Sequence, residues 1–134
     1  MNPPEAISTL IVDDSKAIRL IIGRILRELG FTTNEASNGR EALEALGSMT
    51  VPRVIMVDWN MPEMNGLEFV RAVRQNSTLA GTRLIMITSE NEIGRVQEAL
   101  DAGADEYIMK PFSREMIQEK LAVLEVPIPK EIGA

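Results

Sequence analysis

Neither cysteine nor histidine occurs among the 134 residues. The first absence excludes disulfide stapling, thiolate metal sites and a cysteine nucleophile. The second removes imidazole ligation and histidine acid–base chemistry. A chain without cysteine also suits a reducing compartment. Long hydrophobic runs are missing too: none exceeds strand length, so no membrane-spanning helix is predicted. Met1–Ala6 has neither the basic region nor the apolar stretch of a signal peptide, and a soluble cytoplasmic protein is the expectation. Positive charge is in deficit, with a net charge of −6. That balance leaves no basic face for a phosphate backbone and argues against nucleic acid as a partner. Proteins or small phosphorylated molecules are the expected partners.

What is present alternates. Leu10-Ile11-Val12, Val54-Ile55-Met56-Val57 and Leu84-Ile85-Met86-Ile87 are continuous apolar runs of the kind found in parallel strands covered on both faces. Thr32–Ala36 reads as one edge strand and Tyr107–Met109 as the other. Between them Ile18, Ile21, Ile22, Ile25, Leu26 and Leu29 recur at helical spacing and predict one buried stripe, stopped by Gly30-Phe31. Further helices are predicted over Arg40–Leu46, Leu67–Arg74, Ile93–Leu100 and Arg114–Leu124, the last with Ser113 as N-cap. Because crossovers between parallel strands are right-handed, five such units imply an α/β, doubly wound, five-stranded parallel sheet with helices on both faces. A chain of this length buries about two-thirds of its unfolded surface. One domain is therefore expected over residues 1–124, followed by a short tail, 125–134, in which Pro127 and Pro129 block helix continuation and a frayed end is expected.

Five residues sit where this sheet would gather them. Asp13 and Asp14, Asp58, Thr88 and Lys110 each end or directly follow a predicted strand, and the carboxyl ends of parallel strands are where open α/β sheets bind ligands. Carboxylates about 4 Å apart repel by roughly 4 kcal/mol at an effective dielectric near 20, so the cluster calls for a cation. Oxygen ligands that leave room for water point to Mg²⁺. Each residue has a plainer reading on its own: Asp13-Asp14 as a helix cap, Thr88 as an ordinary strand residue, Lys110 as a solvated charge. Asp58 is harder to dismiss, since the loop Trp59-Asn60-Met61-Pro62 that follows has no need of a carboxylate.

Taken together, Val12-Asp13-Asp14, Asp58-Trp59-Asn60-Met61-Pro62 with Gly66, Ile87-Thr88-Ser89, Ala102-Gly103-Ala104 and Lys110-Pro111-Phe112 resemble the response regulator receiver domains, most closely the single-domain chemotaxis type. The resemblance covers Ser8–Leu124. It implies a flavodoxin-like fold with strand order 2-1-3-4-5, an order that comes with the family. It also implies a stand-alone phosphoacceptor of a two-component phosphorelay. Asp58 would take a phosphoryl group from a sensor histidine kinase. Asp13, Asp14, Asp58 and the backbone carbonyl of Asn60 would hold Mg²⁺, with Lys110 and Thr88 meeting the phosphoryl oxygens. Thr88 and Tyr107 would form the switch. The output face would be the helix Glu92–Leu100, the strand at Tyr107 and the helix Arg114–Leu124. Asn60 and Glu90 would tune hydrolysis toward a short-lived acyl phosphate, and Pro111 would follow a cis bond. Such a protein is a signalling monomer and not a turnover enzyme, working in chemotaxis or other motility through a downstream protein that the sequence does not name. The chain departs from motor-binding members, which carry lysines where it has Asn91, Glu92 and Ile93.

Three other readings stand beside this one. A small phosphohydrolase with Asp58 as nucleophile would normally carry a second aspartate where Asn60 is. A nucleotide or flavin module would want a Gly-rich loop where Asp13-Asp14-Ser15-Lys16 stands. An inactive receiver could act as a scaffold.

Overall fold

A computed structural model describes residues 7–132; the signal-peptide expectation for Met1–Ala6 lies outside them. Five strands, β1 (Ser8–Val12), β2 (Thr32–Ala36), β3 (Val54–Asp58), β4 (Arg83–Thr88) and β5 (Glu106–Met109), form one all-parallel sheet in the order β2-β1-β3-β4-β5. Helices α1 (Lys16–Glu28), α2 (Gly39–Leu46), α3 (Gly66–Arg74), α4 (Val96–Ala102) and α5 (Arg114–Val123) cover it. The period-2 alternation of strand side chains divides the core into two layers. Leu10, Val12, Ile55, Val57, Leu84 and Met86 meet Ala42, Phe69, Val70, Val73 and Ala99 of α2, α3 and α4. Ile11, Val54, Met56, Ile85, Ile87 and Ile108 meet Ile22, Leu26, Ile117 and Leu121 of α1 and α5. The doubly wound expectation and its strand order are borne out. No helix among the described residues is long and apolar enough to cross a membrane.

Local chemistry sets the helix ends. Ser15 caps α1 by accepting from the Ile18 N–H at 3.2 Å. At the other end Gly30 donates to the Arg27 carbonyl and Phe31 to that of Leu26, the paired bonds of a Schellman stop. Asn65 and Glu68 form a reciprocal capping box at α3. Ser113 caps α5 as expected, accepting from the Met116 N–H at 3.2 Å.

Three expectations need correction. Ile21 is not part of the buried stripe: it is 49% exposed, beside an equally open Leu20. It borders an apolar hollow lined by Ile18, Lys110, Pro111 and Phe112. Helix α4 does not start at Ile93, because Glu90–Arg95 forms a 3-10 segment and α-helix begins at Val96. Glycine at position 94 weakens α-helix, and nothing packs within 4 Å of where its side chain would be. Finally, the described part of the tail is packed. Glu125, at φ 57°, turns the chain at the end of α5, and Val126 donates to the Leu121 carbonyl at 2.9 Å. Val126 and Ile128 are then buried in the α1/α5 layer with Leu29 and Phe31. A short helix, α6 (Pro129–Ile132), follows, with proline in the first turn, where its missing N–H costs nothing. Val126→Ala is expected to cost about 2 kcal/mol, from two buried carbons and the cavity they leave. A thermal melt checks this, and an unchanged midpoint would make the segment a passive appendage.

Candidate functional site

The strand register assembles the site. Val12 pairs with Val57, Asp58 with Ile87, and Thr88 with Met109. Asp13, Asp58, Thr88 and Lys110 therefore arrive together at the carboxyl edge of the four neighbouring strands β1, β3, β4 and β5. The crossing backbone is tied down here: the Trp59 N–H donates to the Ile87 carbonyl at 3.1 Å and the Lys110 N–H to that of Thr88 at 2.7 Å. The Lys110–Pro111 bond is cis, as expected.

Asp13, Asp14 and Asp58 each present a carboxylate oxygen within 4.8 Å of the others. Asp13 and Asp58 are buried and Asp14 is exposed. Because Ser15 caps α1, the aspartate pair is free of the capping role that was its plainer reading. Asp13 Oδ1 accepts from the Ser15 N–H at 2.8 Å, while Asp13 Oδ2 is buried with no hydrogen-bond partner. A buried carboxylate oxygen left unpaired is costly. Lys110 Nζ lies 3.3 Å from Asp58 Oδ1 and offsets part of the clustered charge.

Electrostatics follow from this crowding. Burial, then the charge of Asp13, push the Asp58 carboxyl up to about 6, with Lys110 pulling the other way. Asp13 is likewise raised, chiefly by burial and against the Ser15 N–H. An unpaired buried oxygen and a carboxylate that resists ionisation are what an oxygen-liganded cation would relieve, so the residues present fit Mg²⁺.

Gly66 holds the loop after Asp58 in place. A Cβ there would lie 2.9 Å from the Asp58 carbonyl oxygen and from Trp59 Cα, so only glycine permits the close approach sealed by the 2.9 Å bond from its N–H to the Trp59 carbonyl. Trp59 is buried against the core, while Asn60 in the loop after β3 and Glu90 at the start of the 3-10 segment are exposed. Thr88 is buried, its hydroxyl donating to the Ser89 carbonyl at 3.3 Å.

Tyr107 pairs with Met86 and so shares the sheet face of Thr88. Its half-exposed ring lies 5.1 Å from Lys120 Nζ, which also reaches Glu106 at 3.1 Å. Two nearby residues have no sequence signal that ties them to this cluster. Glu92 accepts from the Ser89 N–H and hydroxyl, and its charge reaches Asp58. Arg19 donates to the Asp13 carbonyl.

Residues 9–122 match the response regulator receiver domain family. The chain is 45% identical over 116 residues to the chemotaxis protein CheY1 of Helicobacter pylori, covering 86% of this chain and 94% of that one. It is 42% identical over 113 residues to the chemotaxis protein CheY of Pseudomonas aeruginosa, covering 84% and 90%. The solved structure of Vibrio cholerae CheY4 superposes with a TM-score of 0.83 at 36% identity, over 90% of this chain and 99% of the other.

Proposed function

This chain belongs to the response regulator receiver family, and from that premise we propose that it is a cytoplasmic signalling switch whose Asp58 accepts a phosphoryl group from a sensor histidine kinase. The observation that carries the reading is the buried, unpartnered Asp13 Oδ2 in a three-carboxylate cluster faced by the Lys110 ammonium.

In the proposed step an Asp58 carboxylate oxygen attacks phosphorus and the P–N bond to the donor imidazole breaks. The bonding pair leaves with the nitrogen, which takes a proton from solvent. Asp14, Asp58 and the Asn60 carbonyl would hold Mg²⁺, with Asp13 acting through water, and the ion would supply the positive charge that clustered carboxylates and phosphoryl oxygens require together. Lys110 exchanges its bond with Asp58 Oδ1 for one with the phosphoryl group. The Thr88 hydroxyl turns from the Ser89 carbonyl toward another phosphoryl oxygen. That turn opens space on the sheet face that Thr88 shares with Tyr107, and the ring moves inward. The surface made by α4, β5 and α5 then changes for a downstream protein, in chemotaxis or related motility. Asn60 and Glu90, both exposed and lying two residues past Asp58 and Thr88 respectively, tune attack by water toward a short-lived acyl phosphate.

Intact mass after incubation with Mg²⁺ and acetyl phosphate tests the reading. One phosphoryl adduct is expected on the wild type, lost without Mg²⁺ and lost in Asp58→Asn. An unmodified wild type under the same conditions would favour the scaffold reading.

A further inference from the structure

Resting on the Mg²⁺ reading of the acidic cluster, we propose that Arg19 is a positioning residue that sets the affinity of that site by fixing the peptide unit between Asp13 and Asp14. Arg19 lies in the first turn of α1, and its side chain turns back over the strand ends. One guanidinium nitrogen donates to the Asp13 carbonyl, and Nε donates to Glu35 Oε1 at 3.1 Å on the edge strand β2. The Arg19 side chain is only 15% exposed and its bond to the Asp13 carbonyl is partly buried, whereas the Glu35 end of the pair is open to solvent.

Asp13 is thereby held at every polar atom but one. Its N–H donates to the Ala36 carbonyl at 3.1 Å, its Oδ1 accepts from Ser15, its carbonyl accepts from Arg19, and only Oδ2 is left over. Asp14 is the opposite case. It is exposed, and no hydrogen bond among the described residues reaches its carboxylate. Its position is inherited from the backbone, and the planar peptide that leads into it is the one whose carbonyl Arg19 holds. The fork of Arg19 therefore ties the one loosely held carboxylate of the cluster to a second strand through Glu35. A lysine cannot reproduce this, because a single ammonium lacks the rigid fork that spans two acceptors.

Charge and position predict opposite signs. By charge alone, removing a cation from beside three carboxylates tightens metal binding. If Arg19 acts by position, removing it weakens binding, and weakens it most for an ion that demands near-ideal octahedral geometry. Outer partners of metal ligands are typically worth tenfold or more in affinity.

The test titrates metal-free protein with Mg²⁺ and separately with Ca²⁺, following Trp59 emission, for wild type, Arg19→Met, Arg19→Lys and Glu35→Gln, with a thermal melt of each. Arg19→Met is expected to weaken Mg²⁺ binding about tenfold and Ca²⁺ binding clearly less, since Ca²⁺ tolerates irregular ligand geometry. Arg19→Lys should fall near the methionine variant, and Glu35→Gln should lose a few-fold. Equal or tighter Mg²⁺ binding by folded Arg19→Met overturns the inference, as does an equal loss for both ions. Should Arg19→Met not fold, Arg19→Lys and Glu35→Gln decide by the same comparison. A wild type that shows no Mg²⁺ response removes the metal-site reading itself and this inference with it.

Discussion

Asp58→Asn should give a protein that melts higher than the wild type in the absence of metal and yet accepts no phosphoryl group. The two effects have one origin. Burial and the neighbouring Asp13 hold the Asp58 carboxyl at about 6, against 3.8 for the ordinary group, so the folded state resists its ionisation. A displacement of about two pH units corresponds to about 3 kcal/mol. Water at the open mouth of the cluster, where Asp14 is exposed, screens part of this and leaves about 2 kcal/mol. Asparagine keeps the shape, removes the charge and adds an amide that can donate to the crowded carboxylates around it.

The sign fixes the pH dependence. A carboxyl whose folded-state value is raised stabilises the fold fully below its unfolded value, and that contribution is lost as pH rises through the folded value. Metal-free wild type should therefore gain stability as pH falls from 7.5 toward 5, and Asp13, displaced in the same direction, adds to the slope. Asp58→Asn should flatten the profile, leaving the Asp13 part. Mg²⁺ should raise the wild-type midpoint through binding to the native state alone and should do so less in the variant. Thermal melts across this pH range, with and without Mg²⁺, provide the measurement. A lower melting temperature for metal-free Asp58→Asn would refute the account of Asp58 as an electrostatically costly residue.

Much of this arrangement is legible in the amino-acid sequence. β1, β3 and β4 coincide with the three uninterrupted aliphatic runs, because a strand covered on both faces needs apolar side chains at consecutive positions. Once those strands are parallel and adjacent, Asp13, Asp58, Thr88 and Lys110 must converge, and they do. What escapes the sequence depends on contacts between distant residues. Arg19 looks like Arg24 and Arg27 on the same helix until β2 brings Glu35 beside it. Val126-Pro127-Ile128-Pro129 reads as a loose end because its prolines exclude helix, and only the left-handed turn at Glu125 directs its two apolar side chains into the core. The 3-10 segment at Glu90–Arg95 is missed for the converse reason. Its pattern suits a helix, but with Gly94 in open space and Ile93 exposed there is little packing to impose one.

Arg74→Met should be the most destabilising of the single changes considered, at about 4 kcal/mol, with the acidic cluster left intact. Arg74 ends α3, and its guanidinium donates to four acceptors: the carbonyls of Gly103 at 2.9 Å, Leu79 at 3.0 Å and Thr82 at 2.8 Å, and Asp105 Oδ2 at 2.9 Å. That oxygen also accepts the Leu84 N–H at 2.8 Å. One side chain thus joins α3, the turn into β4, the end of α4 and the start of β5. It also explains the glycine of Ala102-Gly103-Ala104. Gly103 has φ 126°, and a Cβ there would lie 2.4 Å from Arg74 Cγ. Truncation leaves several partly buried acceptors without a donor and a carboxylate without its main partner, each worth about 1–3 kcal/mol. Partial exposure brings the total to about 4 kcal/mol, or roughly 14 °C in melting temperature for a domain of this size. Lysine should rescue little of it, since one ammonium cannot serve four directions. Because Asp105 and Leu84 stand at the amino ends of β5 and β4, opposite the edge that carries Asp58, Mg²⁺-dependent Trp59 emission should be unchanged in the folded variant. A midpoint within two or three degrees of wild type would show that the loops keep their positions without Arg74.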